Sequence, residues 1–282
     1  VYQSVRTALA SEKSLIKDRI SNKSVSVYLQ GSYGNDTNIY ADSDVDIVVH
    51  LHTTWGSDTS ALSSEERELY RATYPDATYL WEHFRSDVLK SLRAYYGATA
   101  VEERTKILAV KVPSYRITAD VLPAIEYRKY YQFKSDRENI KVEGIRFHVP
   151  IDNNRTVINY PDWHKYNGTK KHDETDGQYK PTVRIFKNVR NHLIDQGAIS
   201  EDLMPSYFLE CILFNVPNEN FTSSYQETVY NVLKFLNQAN IDIFECQNGQ
   251  LPLIGDTPEQ LRGENLISFR REVINLWNNG GS

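Results

Sequence analysis

The sequence predicts an α+β fold: a mixed, twisted sheet with helices in the first half, followed by a helical C-terminal domain. Helix-period and strand-period segments alternate up to about residue 150, and strand-like segments give way to helical ones beyond about residue 181. The chain has 282 residues, 40% hydrophobic and 12% aromatic, enough for one large core or two adjoining ones.

Taken in order, residues 2–20 carry apolar positions at helical spacing, and 24–30 (SVSVYLQ) alternate as a strand before the Gly31-Ser32 turn. The β-branched run 45–51 (VDIVVHL) reads as a buried strand. The polar stretch 53–66 reads as a surface excursion that ends at a helix start on Ser63 or Ser64, with acids in the first turn. Residues 79–96 form a long amphipathic helix; 106–112, 115–125 and 144–150 are three further strands. Residues 152–181, rich in Asn, Asp, Lys and Gly, read as a long irregular loop, and 181–195, 205–215, 224–239 and 258–278 as helices.

Composition narrows the classes of function. No stretch approaches the run of about 18 apolar residues that a membrane helix needs, and the start lacks a secretory pattern, so we expect no membrane partner and a cytoplasmic protein. Cys211 and Cys246 sit in apolar contexts that suit buried free thiols, and two cysteines are too few for a zinc cluster. A net charge of −5 argues against a broad nucleic-acid footprint, whereas small phosphorylated ligands remain fully allowed.

The chemistry gathers around residues 30–51. In a strand, successive side chains point to opposite faces, so Asp44 and Asp46 share one face while Val45 and Ile47 pack the other. Two adjacent carboxylates repel unless a cation lies between them, and such a hard, compact oxygen cluster suits Mg²⁺ or Mn²⁺. Asp120 lies in another apolar strand, where an ionised side chain is costly without a partner, and metal coordination supplies one. Gly31 lets the backbone approach a phosphate, and Ser32 adds a hydroxyl and an N–H. Asp42 reads as an Asx-turn residue rather than a ligand.

Gly31-Ser32, Asp44-x-Asp46 and the distal Asp120 together resemble the polymerase-β-like nucleotidyltransferase superfamily. More narrowly, ADVLPA, NYPDWHKYNG, YKPTVRIFKNVR and MPSYFLECILFNVP resemble segments of bacterial cGAS/DncV-like nucleotidyltransferases, the CD-NTases, in order along most of the chain. The resemblance implies a nucleotidyltransferase core over 1–160, its N-terminal helix packing on both lobes. It implies a helical domain over 161–282 that supplies a nucleotide-binding wall, with the active site in the cleft between. It makes Asp44, Asp46 and Asp120 the catalytic acids and the ligands of two Mg²⁺ ions, for which Mn²⁺ can substitute. A ribose hydroxyl then attacks the α-phosphate of a nucleoside triphosphate, pyrophosphate leaves, and a second transfer closes a cyclic di- or trinucleotide second messenger in antiphage signalling.

The same resemblance places Gly31, Ser32, Lys187, Ser206 and Tyr207 in nucleotide binding. Lys187 matches a helix lysine on the triphosphate, with Arg184 a turn earlier; Ser206 matches a hydroxyl on phosphate, and Tyr207 a ring stacked on the donor base. His164 and Asn167 receive no role, and His164, Lys170 and Lys171 read as surface residues. The substrates implied are nucleoside triphosphates, ATP and GTP foremost, with pyrimidine nucleotides admitted. A regulatory protein partner follows by family analogy alone. The His/Cys zinc insertion of the animal relatives has no counterpart here, so DNA activation is not expected. Alternatives are a linear oligonucleotide synthase, nucleotidyl transfer to a protein, RNA or small molecule, and a non-catalytic nucleotide-binding scaffold. The last ranks lowest because all three acids stand.

Overall fold

The computed structural model describes residues 1–39, 44–113 and 117–280. Asp42, and the start of the expected strand at Tyr115 and Arg116, lie outside them. Packing divides the chain into two compact units, Val1–Gln30 with Asp44–Tyr160, and Gly31–Ser43 with Pro161–Ser282.

The first unit is built on a seven-stranded mixed sheet. Strand β1 (Val25–Leu29) runs antiparallel to β2 (Val45–Asp58), and β2 pairs in parallel with β5 (Thr118–Phe133). The first part of β5 pairs antiparallel with β4 (Leu108–Lys111), which pairs with β3 (Val101–Glu103). From Ile125 onward β5 pairs instead with β6 (Asn139–Val149), whose outer neighbour is β7 (Arg155–Asn159). Ile47, Val49, Leu51, Ala119 and Val121 alternate onto one fully buried face, as β-branched runs do in sheets covered on both sides.

Helices α1 (Tyr2–Leu9), α2 (Lys17–Ser21), α4 (Ser64–Thr73) and α5 (Trp81–Tyr96) belong to the same unit. The expected single helix over 2–20 is two short ones. Between them the Ser11 hydroxyl donates to Ala8 O and the Ser14 hydroxyl accepts from Ile16 N, and such local bonds compete with helix continuation. Ser63 caps α4 in a reciprocal capping box with Glu66, as the sequence suggested. Helix α5 buries Trp81, Phe84, Val88 and Leu92, and the Trp81 indole N–H donates to Pro123 O on β5 at 2.9 Å.

Three further expectations are corrected. The stretch from residue 53 is no surface excursion at its start: β2 continues to Asp58 through an irregularity between Leu51 and Trp55, because Trp55, Gly56, Ser57 and Asp58 find register partners on β5. The region 152–181 is no loop. It holds β7 and helix α6 (Pro161–Glu174), with proline at the favoured first helical position. The last helix, α10 (Gly263–Asn279), starts later than expected, after a segment held by isolated bridges.

Helix α6 escaped the hydrophobic pattern because it anchors itself through polar groups. His164, Gly168 and Lys171 are its buried residues. The buried Lys171 ammonium donates to Val216 O at 2.6 Å and to Asn218 Oδ1 at 2.8 Å, and burial lowers its pKa to about 8. Asn167 donates to Gln247 O at 2.8 Å. His164 and Lys171 are therefore interior residues, not surface ones, while Lys170 stays exposed.

The rest of the second unit packs α7 (Tyr179–Asp195), α8 (Ser206–Phe214), α9 (Tyr225–Gln238) and α10 around one apolar cluster that includes Val183, Phe186, Leu209, Val232 and Phe269. Cys211 and Cys246 are both buried free thiols. No helix among the described residues is long and apolar enough to cross a membrane.

Phe84 is fully buried, and its deletion leaves a cavity that helix and sheet cannot easily close. Phe84→Ala should cost about 3–5 kcal/mol, read as a lower urea midpoint at unchanged m-value.

Candidate active site

The parallel register of β2 and β5 sets Asp46 directly opposite Asp120. Register partners share a face, and the row continues through Ala109 on β4 to Glu102 on β3. Asp44, one residue ahead of β2, is exposed, and Val45 and Ile47 are buried, the alternation the sequence predicts. The three acids are thus assembled at the start of two adjacent strands.

Asp120 is the strained member. Among the described residues its buried Oδ1 accepts no hydrogen bond, and the Arg104 guanidinium stands 3.9 Å away. Burial, then the charge of Asp44, raises its pKa, with Arg104 acting in the opposite sense. A buried carboxylate oxygen lacking a donor, in a row with two further carboxylates, fits a hard divalent cation as ligand set. Asp44, Asp46 and Asp120 would hold it.

The second unit assembles another set. Gly31 opens the short helix α3 (Gly31–Asn35) at a φ of 60°, the left-handed region that glycine adopts without strain. Lys187, on the buried stripe of α7, sends its ammonium to Ser32 Oγ at 2.7 Å, and to Thr37 O and Oγ1 at 3.2 Å. Ser32 and Lys187, chosen separately from the sequence, therefore meet. A turn earlier, Arg184 donates to Asp36 O at 2.6 Å and Lys180 pairs with the Asp36 carboxylate at 3.3 Å.

The charge of Lys187 is balanced by Glu210 on α8, at 2.6 Å. Glu210, not among the residues predicted from sequence, is a lone acid inside the apolar run SYFLECILF and carries the same signal as Asp120. Its Oε1 also accepts from Thr37 Oγ1 at 2.6 Å; its Oε2 accepts from Asn35 Nδ2 at 3.1 Å and lies 3.1 Å from His164 Nε2. Burial alone would raise the Glu210 pKa; the bonds and charges of His164 and Lys187 outweigh it and hold the group at about 2. Ser206 is the first residue of α8. The Tyr207 ring stacks on His164, centroids 5.3 Å apart, and its hydroxyl faces the thiols of Cys246 and Cys211.

Residues 166–278 match the family described as the cGAS/DncV-like nucleotidyltransferase C-terminal helical domain. The cyclic UMP-AMP synthase of Rhodothermus marinus is 43% identical over 255 residues, 90% of this chain and 85% of its own length. The chain belongs to the cGAS/DncV-like nucleotidyltransferases. The cyclic nucleotide synthase CdnE01 of Staphylococcus haemolyticus is 38% identical over 280 residues, covering 98% of this chain and 91% of that one. The structure of the R. marinus CdnE c-UMP-AMP synthase with Apcpp and Upnpp superposes with a TM-score of 0.86 at 41% identity, over 100% of this chain and 91% of the other. This cGAS/DncV-like protein is accordingly an enzyme, a nucleotidyltransferase of the class that synthesises cyclic oligonucleotides.

In this nucleotidyltransferase the Lys187–Glu210 pair holds α7, α8 and the Gly31–Thr37 segment to one another. Glu210→Ala strands a buried ammonium and should cost about 3–5 kcal/mol. Because the folded-state pKa of Glu210, about 2, lies below its ordinary 4.5, its stabilisation is complete above pH 4.5 and lost as pH falls toward 2, on the order of 3 kcal/mol. Urea midpoints of the wild type and Glu210→Gln measured across that range should converge at the acid end.

Proposed function

We propose that this chain makes a cyclic di- or trinucleotide second messenger from nucleoside triphosphates, releasing pyrophosphate, in bacterial antiphage signalling. The reaction uses two Mg²⁺ ions, for which Mn²⁺ can substitute, on Asp44, Asp46 and Asp120. The observation that carries this proposal is the buried Oδ1 of Asp120, in register with Asp46 and without a donor among the described residues. Bound there, the ions would supply Lewis-acid charge neutralisation for the attacking and leaving oxygens.

The chain's own residues do the rest. Asp120, whose pKa is raised by burial and by Asp44, stands where it can help take the proton of the acceptor hydroxyl. As the new bond forms from that oxygen to the α-phosphorus, the bond from phosphorus to the β-phosphate's bridging oxygen breaks and pyrophosphate leaves. Gly31 and Ser32 receive the triphosphate, with Lys187 one hydrogen bond behind Ser32. Ser206 adds a hydroxyl to phosphate and the Tyr207 ring stacks on the donor base. The R. marinus relative, solved with Apcpp and Upnpp, makes ATP and UTP the first pair to try; ATP with GTP is the second.

Incubation with all four nucleoside triphosphates and Mg²⁺ should yield a phosphatase-resistant product of cyclic mass, absent with Asp44→Asn/Asp46→Asn. A product that phosphatase trims, or one formed only with an added acceptor, overturns the cyclic reading. Asp120→Asn should lower turnover about 100-fold or more while raising Tm. Its raised pKa means that the carboxylate form is penalised in the fold at neutral pH, a penalty relieved as pH falls toward the carboxylate range. Calorimetry of the two proteins checks the Tm difference.

A further inference from the structure

The sheet face that carries Asp46 and Asp120 also carries, further along the same two strands, His50, His52 and Glu126. One ligating atom from each lies within 4.8 Å of the others, the group among the described residues that so converges. His50 and Glu126 are both 8% exposed, and His52 is half-exposed. His52 Nδ1 stands 3.2 Å from Glu126 Oε2. Two ligands of a tetrahedral zinc ion, with bonds of about 2.0–2.1 Å, stand about 3.3 Å apart.

The atoms behind the ligands are also engaged. His52 Nε2 is 2.9 Å from Ser26 Oγ on β1, and the Nε–H of Arg128 donates to Glu126 Oε1 at 2.5 Å. The Arg128 guanidinium is itself fixed, 4.1 Å over the Trp55 ring. His50 Nδ1 faces the Tyr28 hydroxyl at 3.5 Å. That leaves His50 Nε2, which is buried and has no hydrogen-bond partner among the described residues. Outer partners of this kind set the tautomer and orientation of metal-binding imidazoles and carboxylates.

We propose that His50, His52 and Glu126 bind a divalent transition ion of the zinc class, with water in the fourth position. Two imidazoles and one carboxylate form a donor set for zinc rather than for Mg²⁺, which takes oxygen and keeps its waters. Burial, with His52 adding to it, lowers the His50 pKa to about 4, so at neutral pH this imidazole is in its ligating, uncharged form. The ion would clip β2 to β5 and, through Ser26, steady β1. The site is separate from the row of carboxylates and does not rest on their role.

The test uses the untagged full chain carrying Asp44→Asn and Asp46→Asn, stripped with chelator, so that those acids cannot compete. Isothermal titration with Zn²⁺ in millimolar Mg²⁺ should show one equivalent bound per chain. His50→Gln or Glu126→Gln should weaken it at least 100-fold. Saturable binding that is absent, or that survives both substitutions at unchanged affinity, overturns the proposal. Should the His50 and Glu126 variants fail to fold, one equivalent of Co²⁺ added to the Asp44→Asn/Asp46→Asn chain in millimolar Mg²⁺ decides. Intense visible bands of a tetrahedral site support the proposal, and the weak spectrum of octahedral Co²⁺ overturns it.

Discussion

The parallel pairing of β2 with β5 is the constraint on which the rest of the first unit depends. Parallel neighbours require a long crossover, and here the intervening chain supplies α4, α5, β3 and β4 before β5 begins. Because side chains alternate with a period of two, a slip of one residue would put Asp46 on the face of Ile47 and Val49 and bury its charge among aliphatics. The same rule holds for Asp120 between Ala119 and Val121. The apolar face therefore fixes where the acids emerge, and the proximity of the acids needs no interaction of its own.

The second unit solves a different problem. Its core contains Lys187, Glu210 and Lys171, whose burial is costly unless every charge is paired or hydrogen-bonded. Each is: the Lys187 ammonium meets three residues, Ser32, Thr37 and Glu210, the Glu210 carboxylate meets four, and the Lys171 ammonium donates to two oxygens from the segment after α8. Such a network adds little net stability over an apolar core. It specifies instead one arrangement of α6, α7, α8 and the Gly31–Thr37 segment, since any other leaves a charge unmatched.

How much of this the sequence made legible follows from which forces left a pattern. Period-two alternation around Asp46 and Asp120 marked both strands and the shared face, and Ser63 with Glu66 marked a helix start, because those signals are local. Helix α6 was invisible because its stability comes from Lys171, Asn167 and His164 bonding to atoms more than 40 residues away, which no local apolar spacing encodes. Glu210 was legible by the logic applied to Asp120, a charge in an apolar run, yet its partners Asn35 and Thr37 lie more than 170 residues earlier and carry no local mark. His52 and Glu126 meet where β2 departs from regular register, between Leu51 and Trp55, which strand periodicity does not anticipate.

Along one face of β2 and β5 the donors change in kind. At the strand starts they are carboxylates alone; six residues on, about 20 Å at strand spacing, two imidazoles join a single carboxylate whose other oxygen is already held by Arg128. Hard oxygen clusters favour ions that keep water and accept phosphate oxygens, and mixed nitrogen and oxygen sets favour borderline transition ions. The Arg128 pairing sharpens the contrast, since it removes negative charge from Glu126 while Asp120 Oδ1 stays without a donor. One end of the face thus leaves a carboxylate oxygen without a hydrogen-bond donor among the described residues, with Arg104 3.9 Å off, and the carboxylate at the other is already paired with Arg128. That difference, set by neighbours one strand away, makes the first suited to recruiting an ion with its substrate and the second to holding one in place.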